Sequence, residues 1–486
     1  MKGQWTALSE NIKSSKRKKG EEKMKWLVIA IFVVFELVRI VSQFNGPFFD
    51  EAIYLTAGLR TLEGHGYTDG FLTWFAGSLL WSVLAAIGYK VAGLVGARIV
   101  ALIFATIAFI AVTQTAQNLF GQKAGFWTAT TFATSGPFLA LAHLGVLDTL
   151  ALVGIASSFW AATKLAKKDN RCWLVFVSVA FTIGMIAKYP MGLMLIPIVG
   201  IVLVLRREKA VMDVVILGFI SLAISIAFYL PWREQVSQLF SWRLANKPTF
   251  GSTSTTIRYV LLYFSLAPFL LSLVGWFVAK DKRALASVLL LSLTIWPAYH
   301  ILSGDPVSAS KHVVFGYLFA YPLIGLTLSK IWEHRKGKVV AIATILALTV
   351  FGFVQLDRLD RSWPDIRGIA SYLTDHVQPG EQLLISDSWP YTMYLYDEGQ
   401  INSPWDVFDV YRITHGESEI GLCQYNWFID RQGSYSWPEN VRSAITQCDG
   451  FQQVFSATSW VVGLDPKLEF VTYPVHTTVW RNTSKR

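Results

Sequence analysis

Long apolar runs dominate this sequence and restrict what it can fold into. Hydrophobic residues make up 53% of the chain and charged residues only 16%. Soluble domains are rarely so apolar, so the composition predicts a polytopic α-helical membrane protein. A membrane-spanning helix needs about 20 mostly apolar residues. Candidate runs lie at Trp26–Ser42, Leu72–Leu94, Ala97–Thr115, Ala124–Leu141, Leu150–Ala166, Trp173–Ala187, Met191–Leu205, Val211–Leu230, Tyr259–Val278, Ala284–Ile301, Val313–Ser329 and Val339–Phe353.

Basic residues between these runs indicate how the chain is oriented. A tail containing Lys16-Arg17-Lys18-Lys19 precedes the first run, and later basic groups occupy residues 164–171, 206–209, 280–283 and 335–338. If Leu72–Leu94 crossed the membrane, these groups would lie opposite the tail. If it lies in the outer interface, they all share the cytoplasmic side, as the positive-inside rule requires. We therefore predict about eleven crossings, outer interfacial helices and a cytoplasmic N-terminus in the plasma membrane. Basic residues confined to such loops do not indicate a nucleic-acid partner.

The first apolar run contains Glu36 and Arg39 and has no small-residue cleavage site, which favours a retained anchor over a signal peptide. The two charged residues are three positions apart and should pair on one helical face.

The composition changes near Gln355, where a polar, Trp- and Tyr-rich sequence begins. Residues Arg367–His376 are typical of a helix closed by Pro379-Gly380, and Gln382–Ile385 of a strand. A second helix is predicted at Asn440–Thr446, with strands around Gln453–Phe455, Leu468–Thr472 and Thr477–Trp480. We predict a cytoplasmic tail at 1–25, a transmembrane catalytic domain at 26–354 with an outer loop at 43–96, and a small extracytoplasmic α/β domain at 355–486.

The sequence has three cysteines. Cys172 lies beside a basic loop, whereas Cys423 and Cys448 both lie in the polar tail. An oxidising compartment would suit a disulfide between the latter two, and buried thiols are the alternative.

An acidic pair, Asp50-Glu51, follows the first apolar run. Carboxylates at a membrane exit are costly unless they serve a function or face water. The leucines that follow have helical spacing, so Glu51–Glu63 is predicted to form an amphipathic helix ended by Gly64, with Asp50 as N-cap, as functional acid, or as both.

Further charged residues are expected on the same outer face. Asp148 precedes an apolar run, as an N-cap or as a site residue. Lys188 follows a run, where it could bind an anion or reach lipid phosphates. Two outer loops supply the other polar residues: Arg233, Arg243, Asn246, Lys247, Arg258, Asp305, Lys311 and His312. Cations gathered with a few acids suit a phosphate-bearing substrate and a proton acceptor. No zinc-type spacing is present.

These motifs resemble those of a known family. The Asp-Glu pair, Leu147-Asp148-Thr149, Ala187-Lys188-Tyr189-Pro190 and a lysine loop at Lys311 occur in the order found in GT-C membrane glycosyltransferases. The similar groups are the protein O-mannosyltransferases and the lipid A aminoarabinose transferases. Ile53 and Gly70-Phe71-Leu72 depart from the aminoarabinose pattern.

The resemblance implies a polyprenyl-phosphate sugar donor, with Asp50 activating the acceptor. Together with the charged residues, it predicts inverting transfer to a hydroxyl of a lipid, glycan or protein acceptor in the cell envelope. The catalytic candidates are Asp50, Glu51 and Asp148, and the donor-phosphate candidates are Lys188, Arg243, Lys311 and His312. A divalent metal is compatible with the resemblance but is not required by it. The competing hypothesis is a transporter of an anionic or lipid-linked solute, although the sequence lacks the paired halves typical of transporters.

Overall fold

The computed structural model describes residues 2–42, 45–65, 75–245, 253–261, 266–304, 308–409, 421–432, 437–464 and 470–485. The chain divides into two compact units. The first consists of Met1–Val41, Thr68–Trp81 and Arg98–Asp357, and the second of Ser42–Tyr67, Ser82–Ala97 and Arg358–Arg486.

Sixteen helices precede the C-terminal domain in the described residues. They are α1 (Lys2–Val41), α2 (Phe49–Leu62), α3 (Leu80–Phe120), α4 (Gln122–Phe132), α5 (Gly136–Ala142), α6 (Asp148–Lys168), α7 (Cys172–Ala187), α8 (Leu195–Arg206), α9 (Ala210–Tyr229), α10 (Arg233–Ala245), α11 (Thr253–Arg258), α12 (Leu266–Val278), α13 (Arg283–Ser292), α14 (Ile295–Ser303), α15 (Ala309–Ile331) and α16 (Arg335–Asp360).

The length and hydropathy of several of these helices agree with a multi-pass membrane protein. Six helical stretches of the described chain are sufficiently long and apolar to cross a bilayer: Leu80–Phe120, Asp148–Lys168, Tyr189–Ser241, Lys280–Ser303, Ala309–Ile331 and Arg335–Asp360. Two shorter apolar helices, α7 and α12, accompany them. The fold is therefore mostly helical, as predicted, and the count of about eleven crossings stays a prediction.

Some of the predicted spans are interrupted. The run Ala124–Leu141 is divided into α4 and α5, and Pro137, in the first turn of α5, cannot supply the backbone N–H that a continuous helix would need. The run Ala284–Ile301 is likewise divided into α13 and α14.

A kink divides α3 at Ala92 and Gly93. Gly93 has φ 58° and ψ −149°, a conformation that glycine adopts without steric cost. Residues 80–91 of the run predicted to be interfacial therefore lie before the kink, and the crossing predicted at Ala97–Thr115 lies after it. The first three residues of the interfacial run, 72–74, lie outside the described residues.

The pair predicted in the first apolar run is confirmed. Arg39 Nη1 lies 2.8 Å from Oε2 of Glu36, and Glu36 is fully buried. The same guanidinium donates a hydrogen bond to the carbonyl of Leu139, so the pair joins α1 to α5 within the first unit.

The second unit contains the small α/β domain that the sequence predicts. Its strands are β1 (Leu383–Ile385), β2 (Val407–Asp409), β3 (Trp427–Arg431), β4 (Phe451–Leu464) and β5 (Phe470–Asn482), and its helices are α17 (Arg367–His376), α18 (Trp389–Asp397) and α19 (Glu439–Thr446). The sheet order is β2-β1-β3-β5-β4. Strand β1 is parallel to β2 and β3, whereas β5 is antiparallel to both of its neighbours.

The prediction for this domain was incomplete, because it did not include β2, β3 and α18. The two strands expected at Leu468–Thr472 and Thr477–Trp480 are one strand, β5, which forms a long hairpin with β4. Pro474 lies opposite Trp460 within this hairpin and does not end the strand. Cys423 and Cys448 form a disulfide, with a Cα–Cα distance of 5.5 Å, which decides between the two alternatives for these cysteines.

Candidate active site

Helices α6 and α7 of the first unit pack closely and bring together charged residues that are far apart in the sequence. A Cβ on Gly154 of α6 would lie 2.6 Å from the Cα of Gly184 in α7. Small residues permit this kind of approach between membrane helices. Asp148 begins α6 and Lys188 follows the last residue of α7, so close packing of the two helices places both residues at the same end of the pair.

Lys188 lies at a change of backbone direction. It is extended, with φ −150° and ψ 102°, and a 3-10 turn, Tyr189–Met194, follows it. Pro190 occupies the first turn of that segment, where its missing N–H has no cost, and it prevents α7 from continuing.

An ion pair joins the two residues. Lys188 Nζ lies 2.5 Å from Oδ1 of Asp148, and their side chains are 15% and 1% exposed. Asp148 was predicted as an N-cap or as a site residue. The structure makes it the first residue of α6, with Leu147 at the N-cap position, so the capping interpretation is wrong. Buried charges need compensation, and here Lys188 provides it.

The segment Phe75–Trp81 contacts the backbone just before Asp148 and just before Lys188. The sequence did not predict these contacts. Ser78 Oγ donates hydrogen bonds to the carbonyls of Ile186 and Ala187, at 2.6 and 2.9 Å. The indole of Trp81 donates to the carbonyl of Gly145 at 3.1 Å. These bonds hold the backbone just before Asp148 and just before Lys188. Ser78 and Trp81 belong to no sequence motif that would predict this role.

Lys311 contributes a second cation. It lies in the first turn of α15, and its ammonium stabilises the Asp148 carboxylate electrostatically. The structure therefore brings together three of the predicted site residues: Asp148, Lys188 and Lys311.

His312 takes part in an aromatic cluster. Its Nδ1 lies 2.9 Å from Nε2 of His300, and its ring centroid is 4.6 Å from that of Trp296. In such a pair one imidazole nitrogen donates and the other accepts, so only one of the two facing nitrogens carries a hydrogen. His300 was not predicted. The proposed contact of His312 with a donor phosphate stays a prediction.

Asp50 and Glu51 lie in the second unit, at the start of α2. Glu51 is fully buried, and its Oε2 accepts a hydrogen bond of 2.8 Å from the backbone N–H of Phe48, the N-cap residue. This satisfies one of the free donors at the helix start. Asp50 is therefore not the N-cap, and that alternative is wrong. Asp50 is half-buried. Gly64, with φ +82°, follows the helix end as predicted.

Helix α2 is held at several points by the rest of the second unit. A Cβ on Gly58 would overlap the carbonyl oxygen of Ser82, so the two segments are in backbone contact. Near the C-terminal end, the phenol of Tyr396 donates to Oε2 of Glu63 at 2.5 Å. Burial and the Glu63 carboxylate both raise the pKa of Tyr396, which keeps this donor protonated.

Several predicted residues cannot be assigned contacts. Arg243 lies in α10, and its side chain, like that of Arg258, is outside the described part of the structure. Asn246, Lys247 and Asp305 are also outside it. Across the described ranges, no three His, Cys, Asp or Glu side chains are grouped to hold a metal ion, and no reaction step is assigned to one.

Solved structures share this architecture. ArnT from Cupriavidus metallidurans, bound to undecaprenyl phosphate, matches with a TM-score of 0.58 at 13% identity, covering 94% of this chain and 98% of that one. The Archaeoglobus fulgidus oligosaccharyltransferase in its apo form matches with a TM-score of 0.56 at 10% identity, over 84% and 69% of the two chains. The chain therefore has the fold of the GT-C membrane glycosyltransferases.

A family model matches part of the chain. Residues 73–232 match the model for dolichyl-phosphate-mannose-protein mannosyltransferase. The matched segment includes both Asp148 and Lys188. No curated protein matches the sequence. The resemblance to GT-C glycosyltransferases is confirmed.

Proposed function

We propose that this protein is an inverting glycosyltransferase that moves a sugar from a polyprenyl-phosphate donor to an acceptor hydroxyl on the outer face of the plasma membrane. The observation that carries the proposal is the buried Asp148–Lys188 pair, which lies within the residues that match the mannosyltransferase model. Two solved structures of the same fold support a lipid-phosphate donor: ArnT bound to undecaprenyl phosphate, and the Archaeoglobus fulgidus oligosaccharyltransferase AglB in a complex with an inhibitory peptide and a dolichol-phosphate.

The leaving group of such a reaction is a lipid phosphate, whose developing charge needs cations. We assign that role to Lys188 and Lys311, with Arg243 and His312 as further contacts. Asp148 then acts as a positioning residue, because it fixes the Lys188 ammonium and compensates its charge between turnovers.

Asp50 is assigned as the general base. The acceptor oxygen attacks the anomeric carbon as the bond from that carbon to the phosphate oxygen breaks, and the hydroxyl proton passes to Asp50. The products are the glycosylated acceptor, with inverted configuration, and polyprenyl phosphate. Glu51 supports this role because it caps the helix that bears Asp50.

This assignment requires the orientation predicted from the basic loops: a cytoplasmic N-terminus, about eleven crossings, and the segments 43–96 and 355–486 outside. The acceptor is a lipid, a glycan or a protein.

Consumption of the donor by the purified protein tests the proposal. Undecaprenyl phosphate carrying mannose or an aminopentose would be incubated with protein in detergent and a membrane extract as acceptor source. Without a membrane there is no gradient, so a transporter would leave the donor intact. We expect release of undecaprenyl phosphate with at least one donor, and its loss in the Lys188→Met variant. An intact donor in every combination would contradict the proposal.

A further inference from the structure

The α/β domain of the second unit gathers polar residues where its parallel strands end. Ser386-Asp387-Ser388 follows β1, Asp409 is the last residue of β2, and Arg431 is the last residue of β3. Strand β1 lies between β2 and β3, so the next strand in the chain pairs with one edge of β1 and the strand after it pairs with the other edge. Open parallel sheets bind ligands in the crevice beyond the strand ends at such a point.

These residues form three hydrogen-bonded contacts. Ser388 Oγ donates to Oδ2 of Asp409 at 2.6 Å. The guanidinium of Arg431 binds Oδ2 of Asp387, and its backbone N–H donates to Oγ of Ser386 at 2.9 Å. All five residues are less than 10% exposed.

One carboxylate oxygen in this cluster has unused capacity. Asp387 is 6% exposed, and within the described chain its Oδ1 has no hydrogen-bond partner. Leaving a buried polar atom unsatisfied costs roughly 1–3 kcal/mol. The arrangement therefore calls for a donor that the described residues do not supply.

An aromatic pair adjoins the cluster. Trp389 directly follows Ser388, and its ring meets that of Trp405 at a centroid distance of 5.9 Å and an interplanar angle of 89°. Both tryptophans are partly exposed. They provide an apolar, rigid surface beside the buried carboxylates.

The unused acceptor selects the ligand. Oδ1 of Asp387 is a buried carboxylate oxygen, so a ligand that binds it must donate a hydrogen bond. Neutral hydroxyl groups can donate to the carboxylates and accept from the guanidinium, and the CH face of a sugar ring can pack on tryptophan. We propose that the second unit binds a neutral carbohydrate at Asp387, Asp409 and Arg431, against Trp389. This binding is separate from the proposed transfer reaction.

Saturation-transfer NMR on the full-length protein tests this proposal. The probes are methyl glycosides of mannose, glucose and galactose, and the detergent must be sugar-free so that its headgroup does not compete. No lipid donor is present, so a failure of the proposed transfer reaction does not affect the result. We expect saturation transfer to at least one glycoside, unchanged by EDTA. Dependence on a divalent cation would overturn direct recognition of the hydroxyls.

Variants locate the binding. Asp387→Asn should weaken it about tenfold, because the charged acceptor is lost while the shape is kept. Trp389→Ala, which leaves the buried pairs intact, should weaken it as well. Asp430→Asn is the matched control, because Asp430 neighbours Arg431 in β3 but its side chain points to the other face and binds Arg442. Wild-type affinity in both Asp387→Asn and Trp389→Ala, or no saturation transfer in the wild-type protein, would overturn the proposal.

Discussion

Lys188 and Asp148 form a short ion pair, with 2.5 Å between Nζ and Oδ1, at the adjacent ends of two closely packed helices. The carboxylate is almost completely buried, so its charge depends on neighbouring ammonium groups, of which Lys188 is in direct contact. Removing one partner of a buried ion pair typically costs roughly 3–5 kcal/mol.

The pair can be tested by a double-mutant cycle. Lys188→Met should lower the thermal unfolding midpoint, because Asp148 loses the ion pair with Lys188 and keeps the electrostatic stabilisation by Lys311. The double variant, with Asp148→Asn added, should recover part of that loss, since the buried carboxylate charge is also removed. Thermal unfolding of the purified proteins in detergent measures both effects. Strictly additive changes would show that the two side chains do not depend on each other.

Asp50→Asn should leave the fold intact and reduce transfer by a factor of roughly 100 or more, because a general base is lost while size is conserved. Donor consumption gives the rate, and the unfolding midpoint shows whether folding is affected. A rate near that of the wild type would refute the assignment of the base.

Glu51→Ala provides the contrasting case in the same helix. It removes the acceptor for the Phe48 N–H, and loss of a helix cap typically costs about 1 kcal/mol. We therefore expect a lower unfolding midpoint for this variant and not for Asp50→Asn. Equal midpoints for Glu51→Ala and the wild type would show that this cap does not stabilise α2.

Topology can be tested by labelling single cysteines in intact cells. The prediction places Glu63 and Ala92 outside and Lys336 inside, and all three are exposed in the structure. Gly96 is unsuitable, because a Cβ there would overlap the carbonyl oxygen of Gly88. Only the exposed, free Cys172 needs replacement in the background, since the other two cysteines are bonded. An impermeant reagent that labels Lys336→Cys but not Ala92→Cys would refute the proposed orientation.

The stability of the second unit should depend on pH through Asp365. Its burial opposes ionisation, but hydrogen bonds from Arg367, at 2.6 and 2.9 Å from the side chain, prevail and lower the pKa of Asp365. A lowered folded-state pKa gives stability that is present above the unfolded value of about 4 and lost as pH falls through the folded value. Between pH 5 and 3, the unfolding midpoint of the wild type should therefore fall more than that of Asp365→Asn. Parallel acid dependence in the two proteins would contradict this.

The sequence predicted those features that follow from local pattern. Apolar runs became helices, and α17 has the predicted bounds Arg367–His376, because its spacing and the following Pro379-Gly380 define both faces and the end. The Glu36–Arg39 pair followed from the helical repeat alone.

Features that depend on tertiary packing could not be predicted. The proximity of Asp148 and Lys188 requires the contact between Gly154 and Gly184, which no local pattern reveals. His300 pairs with His312 only because α14 packs against α15. Asp50 is not the N-cap because the helix begins at Phe49, two residues earlier than the leucine spacing indicated.

Binding of the lipid phosphate tests the central claim most directly. Native mass spectrometry would compare undecaprenyl phosphate with uncharged undecaprenol on the wild type, on Lys188→Met, and on Lys164→Met as a control lysine of the predicted cytoplasmic loops. The account predicts that the wild type and the control prefer the phosphate, and that Lys188→Met loses at least about tenfold in affinity for it. Equal binding of the phosphate by Lys188→Met and the wild type would contradict the assignment of Lys188 to the donor phosphate.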